Sequence, residues 1–311
     1  MEHSNKYLIV IAGPTAVGKT DLCVKLAQLF DTEILSADSR QIYKELAIGT
    51  AKPTIAEMKG VKHHFVDSHS ITNYYSVGDY EKECLTAINK IFETKNIAIL
   101  TGGSGLFIKV ITEGIDEMPE LDLELREKIA SNVKREGIAY LQKQLAILDP
   151  EYFNQADQHN TQRMARALEV CLSSGKPFSS FRIKNTAERP FNIIKIGLER
   201  ERESLYSRIN HRMDLMLEAG LAQEALSVLS FREHYALKTV GYREVFEHID
   251  GKYDYSEMVR LLKRNTRRFA KKQLTWFKNQ DDFEWFDACN EKEIINFILQ
   301  QTNLSQTQIG L

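Results

Sequence analysis

Nowhere in this 311-residue chain do apolar residues run for the roughly 20 positions that a bilayer-crossing helix needs. The longest apolar run near the start, Tyr7 to Ala12, is far too short. The opening residues Glu2, His3, Ser4, Asn5 and Lys6 lack the basic head of an export signal, so a cytoplasmic protein without a membrane partner is expected. Cysteine is sparse as well. Cys23, Cys84, Cys171 and Cys289 form no C-x-x-C pair, which argues against a zinc ribbon or a disulfide framework and fits free thiols in a reducing compartment. An excess of one charge is also missing: the formal net charge is −2, so the whole molecule is no general polyanion binder.

What is present is unevenly placed. Between Met258 and Gln280 stand eight basic residues and no acidic one, and the sign then reverses at Asp281, Asp282, Glu284, Asp287, Glu291 and Glu293. One basic segment in a nearly neutral chain suggests a directed anionic partner. The apolar share of 43% is ordinary for a globular protein, and the length allows a sizeable core.

Hydrophobic periodicity predicts an α/β protein. Tyr7–Ala12 is a continuous β-branched and apolar run, as in a strand covered on both faces; 33–36, 96–101 and 192–197 read as further strands. Helical spacing covers 20–30 and 77–92, and this alternation implies a parallel sheet with helical crossovers. After about Asp116 the character changes. Residues 121–148 are charged and helical in period, 160–172 form another helix, and Gly175-Lys176-Pro177 stops it. Long helices are expected at 202–219, 221–229, 242–249 and 255–278, with a frayed polar tail at 302–311. The expected architecture is a P-loop NTPase-like core (1–115 and 191–311) with C-terminal helices, interrupted by an all-helical insertion at 116–190.

Gly13-Pro14-Thr15-Ala16-Val17-Gly18-Lys19-Thr20 fits G-x-x-x-x-G-K-[ST] and lies between an apolar strand and an amphipathic helix, the context that the motif requires. The loop's amides and the helix N-terminus suit a phosphate, Lys19 adds a full positive charge, and the Thr20 hydroxyl suits Mg²⁺. The motif identifies a phosphate grip without saying which phosphate compound is held.

Parallel strands release their ends on one side, where ligands of such sheets bind. The second strand ends at Asp38-Ser39-Arg40-Gln41 and the third at Gly102-Gly103-Ser104, so both should meet Lys19 and Thr20. Asp38 is either a general base or metal partner, or a helix N-cap. Ser104 is either a ligand contact or a turn residue. His63 and His64 lack further metal ligands at suitable spacing and read as structural or rim residues. Arg212, on one helix with Arg208, either completes a diphosphate clamp or belongs to a solvated face. On the basic helix Arg260, Lys263, Arg264, Arg267 and Lys271 recur at i+3/i+4, with Leu261, Leu262, Phe269 and Trp276 free to pack elsewhere. A solvated face competes there with binding of RNA phosphates by Arg264, Arg267 and Lys271.

The P-loop, Asp38-Ser-Arg-Gln-Ile-Tyr43, Ile48-Gly-Thr-Ala-Lys-Pro53 and Gly102-Gly-Ser-Gly-Leu106 together resemble the tRNA dimethylallyltransferases. Gln162-Arg-Met-Ala-Arg-Ala-Leu-Glu-Val170, Gly175-Lys-Pro177, Arg208-Ile-Asn-His-Arg212, Met216-Leu-Glu-Ala-Gly-Leu221, Val240-Gly-Tyr-Arg243 and Arg267-Arg-Phe-Ala-Lys-Lys-Gln273 with Trp276 extend the match in order from about residue 7 to 286. The resemblance implies transfer of a dimethylallyl group from its diphosphate to N6 of adenine 37 in tRNA. The P-loop would then hold dimethylallyl diphosphate rather than ATP, with Asp38 as general base and Lys19, Ser104 and Arg212 as its catalytic neighbours. It also implies tRNA contacts at Asp38, Ser39, Arg40 and Gln41, at Gln162, Arg163, Met164, Ala165 and Arg166, and at Arg243. The helical insertion would reach the anticodon loop. Ser104 stands where many members carry threonine, and the zinc finger of eukaryotic members is missing, which implies the compact bacterial form, expected as a monomer. Two other readings remain: an ATP-dependent small-molecule kinase, which the P-loop alone allows, and a non-catalytic nucleotide-binding RNA module.

Overall fold

The computed structural model describes residues 5–119, 122–182, 187–280 and 282–303. Its sheet begins with β1 (Tyr7–Ala12), whose unbroken apolar run divides by alternation. Leu8, Val10 and Ala12 enter one hydrophobic core, Ile9 and Ile11 a second on the opposite face. Helix α1 (Lys19–Leu29) follows the Gly-rich turn, then come β2 (Ile34–Ser36), a single-turn α2 (Ile55–Met58) and β3 (His63–His64). Ser76 and Asp79 close a capping box at the start of α3 (Val77–Phe92), which leads to β4 (Ile97–Gly102) and α4 (Gly105–Glu113).

The chain divides into two compact units, 1–112 with 188–311, and 113–187; the sequence placed the insertion at 116–190. The second unit contains α5 (Leu123–Glu136), α6 (Ile138–Leu148), α7 (Pro150–Gln155) and α8 (Thr161–Ser174). The single helical stretch expected at 121–148 is two helices, because Gly137 at φ 72° ends one and begins the next; Leu121 lies outside the described residues. Ile129, Leu141, Leu145, Tyr152, Met164 and Leu168 make this unit's own core.

In the first unit β5 (Asn192–Glu199) is followed by α9 (Arg202–Glu218), α10 (Leu221–Ser227), α11 (Tyr242–Ile249), α12 (Tyr255–Lys278), β6 (Glu284–Asp287) and α13 (Glu291–Thr302). Among the described residues six strands lie in the order β3-β2-β4-β1-β5-β6, and every pairing is parallel. α3, α4, α11 and part of α12 cover one face, while α1, α9 and α13 cover the other. Two edge strands, the helices α2, α4 and α7, and α13 went unread. β3 has two residues, and β6 sits inside the acidic run with only Phe286 buried, so neither gives an apolar pattern. Residues 304–311 of the expected tail lie outside the described residues.

Candidate active site at the carboxyl edge of the sheet

With all strands parallel, β2, β4, β1 and β5 deliver their following loops to one edge. The turn from β1 to α1 bends sharply at Gly13. Its φ of 156° disfavours other residues, and a β-carbon there would stand 2.7 Å from the Leu198 carbonyl oxygen. No side chain caps α1, so its first-turn amides stay open to an anion.

The loop's other groups are held by neighbours. Lys19 Nζ donates to the carbonyls of Gly13 and Pro14, both at 2.9 Å. Arg208 Nε donates to Ala16 O at 2.8 Å, and Arg200 to Val17 O at 3.2 and 3.3 Å. Arg212 reaches the Thr15 hydroxyl at 3.5 Å, while the Thr15 N–H donates to Gln273 Oε1 at 2.9 Å. Arg212 therefore joins the phosphate loop rather than a solvated face. Burial lowers the Lys19 ammonium to about 8, with Asp38 opposing that shift and Arg212 reinforcing it. Burial, with Arg208 nearby, also lowers Arg212. Cations gathered at such a site gain from an anion.

Asp38 keeps both of its readings. Oδ1 accepts the N–H groups of Arg40 at 2.9 Å and Gln41 at 3.4 Å, which is the turn-capping role. Oδ2 accepts no hydrogen bond among the described residues, and the carboxylate acts electrostatically on Lys19. Ser104 is tied to the same loop: its Oγ accepts the Ser39 N–H at 3.0 Å and donates to Ser39 Oγ at 3.1 Å. The structure thus brings Lys19, Arg212, Asp38 and Ser104 to one edge.

Arg40 lies over the Tyr235 ring at 5.7 Å and donates to Ser39 O at 3.1 Å. Its Nε is the one buried side-chain polar atom without a partner among the described residues, a cost that an incoming acceptor would remove. Gln41 is different. Its amide donates to the carbonyls of Thr50 and Ala51, both at 3.2 Å, and accepts from Ser36 at 3.3 Å, so it braces a loop. That loop, part of the Ile48–Pro53 motif, is pinned by Glu224, which accepts the N–H groups of Ala47, Ile48 and Gly49 at 2.8, 2.7 and 2.8 Å. His64 pairs with Glu33 at 2.6 Å, and no group of three or more His, Cys, Asp or Glu side chains able to hold a metal occurs among the described residues.

The RNA-contact candidates separate by burial. On α8, Gln162 and Arg163 are exposed, but Met164 is fully buried in the insertion's core and cannot present its side chain to a partner. A contiguous motif on a helix necessarily turns some members inward. Ala165 also packs on that core, and Arg166 is ion-paired at 2.6 Å with the buried Glu169. Arg243 pairs with Glu244 at 3.0 Å. On α12 the i+3/i+4 row is divided, and two of its members turn towards α9: Lys263 binds Asp214 at 2.6 Å, and Arg267 binds Asn210 at 2.6 Å and covers Tyr206. Arg264 bonds Asn265 at 3.1 Å and Arg260 bonds Glu257 at 2.6 Å. Arg268, Lys271 and Lys272 are exposed instead, beside the half-exposed ring of Phe269, which was expected to pack.

Sequence reasoning missed Arg200 and Gln273. Arg200 follows β5, the neighbour of β1, so extending the sheet-edge argument by one strand would have found it. Gln273 carried no such signal.

The IPP transferase family model matches residues 41–280. Over 300 residues the chain is 48% identical to a tRNA dimethylallyltransferase of Christiangramia forsetii, covering 96% of this chain and 99% of the relative. It is 49% identical over 298 residues to a protein of the same name from Cytophaga hutchinsonii, covering 96% and 98%. Among solved structures, a tRNA isopentenylpyrophosphate transferase from Bacillus halodurans superposes with a TM-score of 0.71 at 35% identity, covering 96% of this chain and 97% of that one. A eukaryotic dimethylallyltransferase, described as acting on tRNA, gives 0.79 at 25% identity, covering 95% and 77%.

Proposed function

The chain belongs to the IPP transferase family, and we propose on that premise that it moves a dimethylallyl group from dimethylallyl diphosphate to N6 of adenine 37 in tRNA. The observation that carries this reading is the meeting of an anion cradle (Lys19, Arg212) with a carboxylate (Asp38) and a hydroxyl (Ser104) on one sheet edge.

The donor's diphosphate occupies Gly13 to Thr20. As its allylic C–O bond breaks, negative charge grows on the leaving oxygen, and Lys19, Arg212 and the open α1 amides stabilise it. The new C–N bond forms at N6, whose lone pair is delocalised into the ring. N6–H becomes acidic only as that bond forms, so Asp38 Oδ2 takes the proton late; such a base contributes ~10²–10⁴-fold. Ser104 holds the Asp38 loop and is placed to orient the base. The Thr20 hydroxyl, a hard oxygen of the kind Mg²⁺ favours, would hold such an ion beside the donor. When bound it would supply charge neutralisation of the diphosphate.

The adenine must leave its stack to present N6 to Asp38, at a cost of a few kcal/mol. The anticodon arm is the macromolecular partner in this reading. It meets Arg40 and Ser39 at the edge, Gln162 and Arg163 on the insertion, and the exposed cations of α12. The enzyme is taken to act as a monomer in the cytoplasm; no described helix is long and apolar enough to cross a membrane.

Incubating the protein with unmodified tRNA, Mg²⁺ and either dimethylallyl diphosphate or ATP, then weighing the nucleosides, tests this directly. Added dimethylallyl mass on adenosine with the diphosphate donor alone is expected. ATP consumption on a small alcohol would support the kinase reading, which the relatives do not favour.

A further inference from the structure

We infer that Gln273 is a positioning residue that sets the spacing between the donor's phosphate cradle and the serine loop of the acceptor. The inference rests on the reading above, because it assigns those two loops to the two substrates. Gln273 lies on α12 and is buried, although its helical neighbours Lys271 and Lys272 are exposed. Its carboxamide spans two loops. Oε1 accepts the Thr15 N–H at 2.9 Å, and Nε2 donates to the Gly103 carbonyl at 2.9 Å. The first loop continues β1 and the second β4, which are paired neighbours in the sheet.

The bond pattern dictates the residue type. One end must accept and the other donate, so the amide has a single workable orientation; a carboxylate would set negative charge against the Gly103 oxygen. The contact also explains Gly103, where a β-carbon would stand 2.3 Å from Gln273 Nε2. Without the amide, the half-buried Thr15 N–H and the buried Gly103 carbonyl would lose their partners. One residue beyond Gly103, Ser104 holds the Asp38 loop through Ser39. Trp276, one turn further along α12, lies against Gly105. α12 is therefore fastened to the serine loop twice and to the phosphate loop once, and the reacting atoms inherit their separation from that brace. Because the cations exposed on α12 belong to the same helix, RNA bound there engages a helix already bonded to both loops.

The test uses the full chain in single-turnover transfer from dimethylallyl diphosphate to unmodified tRNA. Gln273→Met, similar in length and uncharged, should lower the transfer rate by about a hundredfold, the order expected for a misplacement of about 1 Å, with KM for both substrates little changed. Gln273→Glu should be as slow at about pH 9 and recover relative to wild type towards about pH 6, because burial raises the new carboxyl's pKa. Its protonated form then repeats the donor and acceptor pattern of the amide. A Gln273→Met enzyme with the wild-type rate, or a Gln273→Glu to wild-type ratio that stays flat with pH, would overturn the inference. Should the charged variant fail to fold, the rate and KM of Gln273→Met decide. Failure of the wild-type enzyme to modify tRNA at all would instead sink the functional reading.

Discussion

At the sheet edge, Lys19 and Arg212 are half-buried and bonded to the phosphate loop, whereas on α12 Arg268, Lys271 and Lys272 stand in water without partners among the described residues. Positive charge fixed in a poorly solvated place acts strongly on charge that develops beside it, and needs no rearrangement during the reaction. Exposed charge is screened within about 10 Å at ordinary salt, so it attracts a polyanion collectively and each member counts for little. The contrast teaches a division of labour: the edge governs the chemical step, and the helix governs capture of the RNA.

Substitutions should break or sharpen that contrast. The largest effect is expected for Asp38→Ala, with turnover down by ~10²–10⁴ and tRNA affinity nearly unchanged in a filter-binding assay; surviving turnover would remove Asp38 from the role of base. Arg212→Ala should follow, costing about 10²–10³ in turnover, again at similar RNA affinity. Acidity offers a milder probe of the same edge. Burial holds the Lys19 ammonium down to about 8, and a diphosphate favours its charged form. Raising pH through that value removes the proton that the donor needs, so donor KM should climb by about tenfold per pH unit above it, with tRNA affinity following no such curve. Joint replacement of Arg268, Lys271 and Lys272 by alanine should leave the single-turnover rate at saturation intact. It should weaken tRNA binding and flatten its log–log salt dependence by about three units. The smallest change is expected from Arg267→Ala, whose bond to Asn210 contributes roughly 0.5–1.5 kcal/mol to stability. A thermal melt should register it while the salt dependence stays put.

The two regions also differ in how far the residues alone disclosed them. Parallel strands must end on one side, so finding Tyr7–Ala12, the strand before Asp38 and the strand before Ser104 was enough to gather Lys19, Asp38 and Ser104 in advance. No comparable rule applies to α12. Its bounds and its charge were plain, but Lys263 and Arg267 turn towards Asp214 and Asn210 of α9, and only the packing of two helices distant in sequence decides that. Gln41 and Met164 teach the same lesson. Each stands in a motif quoted for RNA contact, yet one braces the Thr50 loop and the other fills a core. β6 and the bridging amide of Gln273 depend wholly on partners remote along the chain.

One measurement bears most directly on the division between edge and helix: the single-turnover transfer rate and the tRNA dissociation constant of the wild-type enzyme, followed together as salt is raised. The account predicts a dissociation constant that rises steeply while the rate at saturating tRNA and donor holds level. A saturated rate that falls as steeply as the affinity would contradict it.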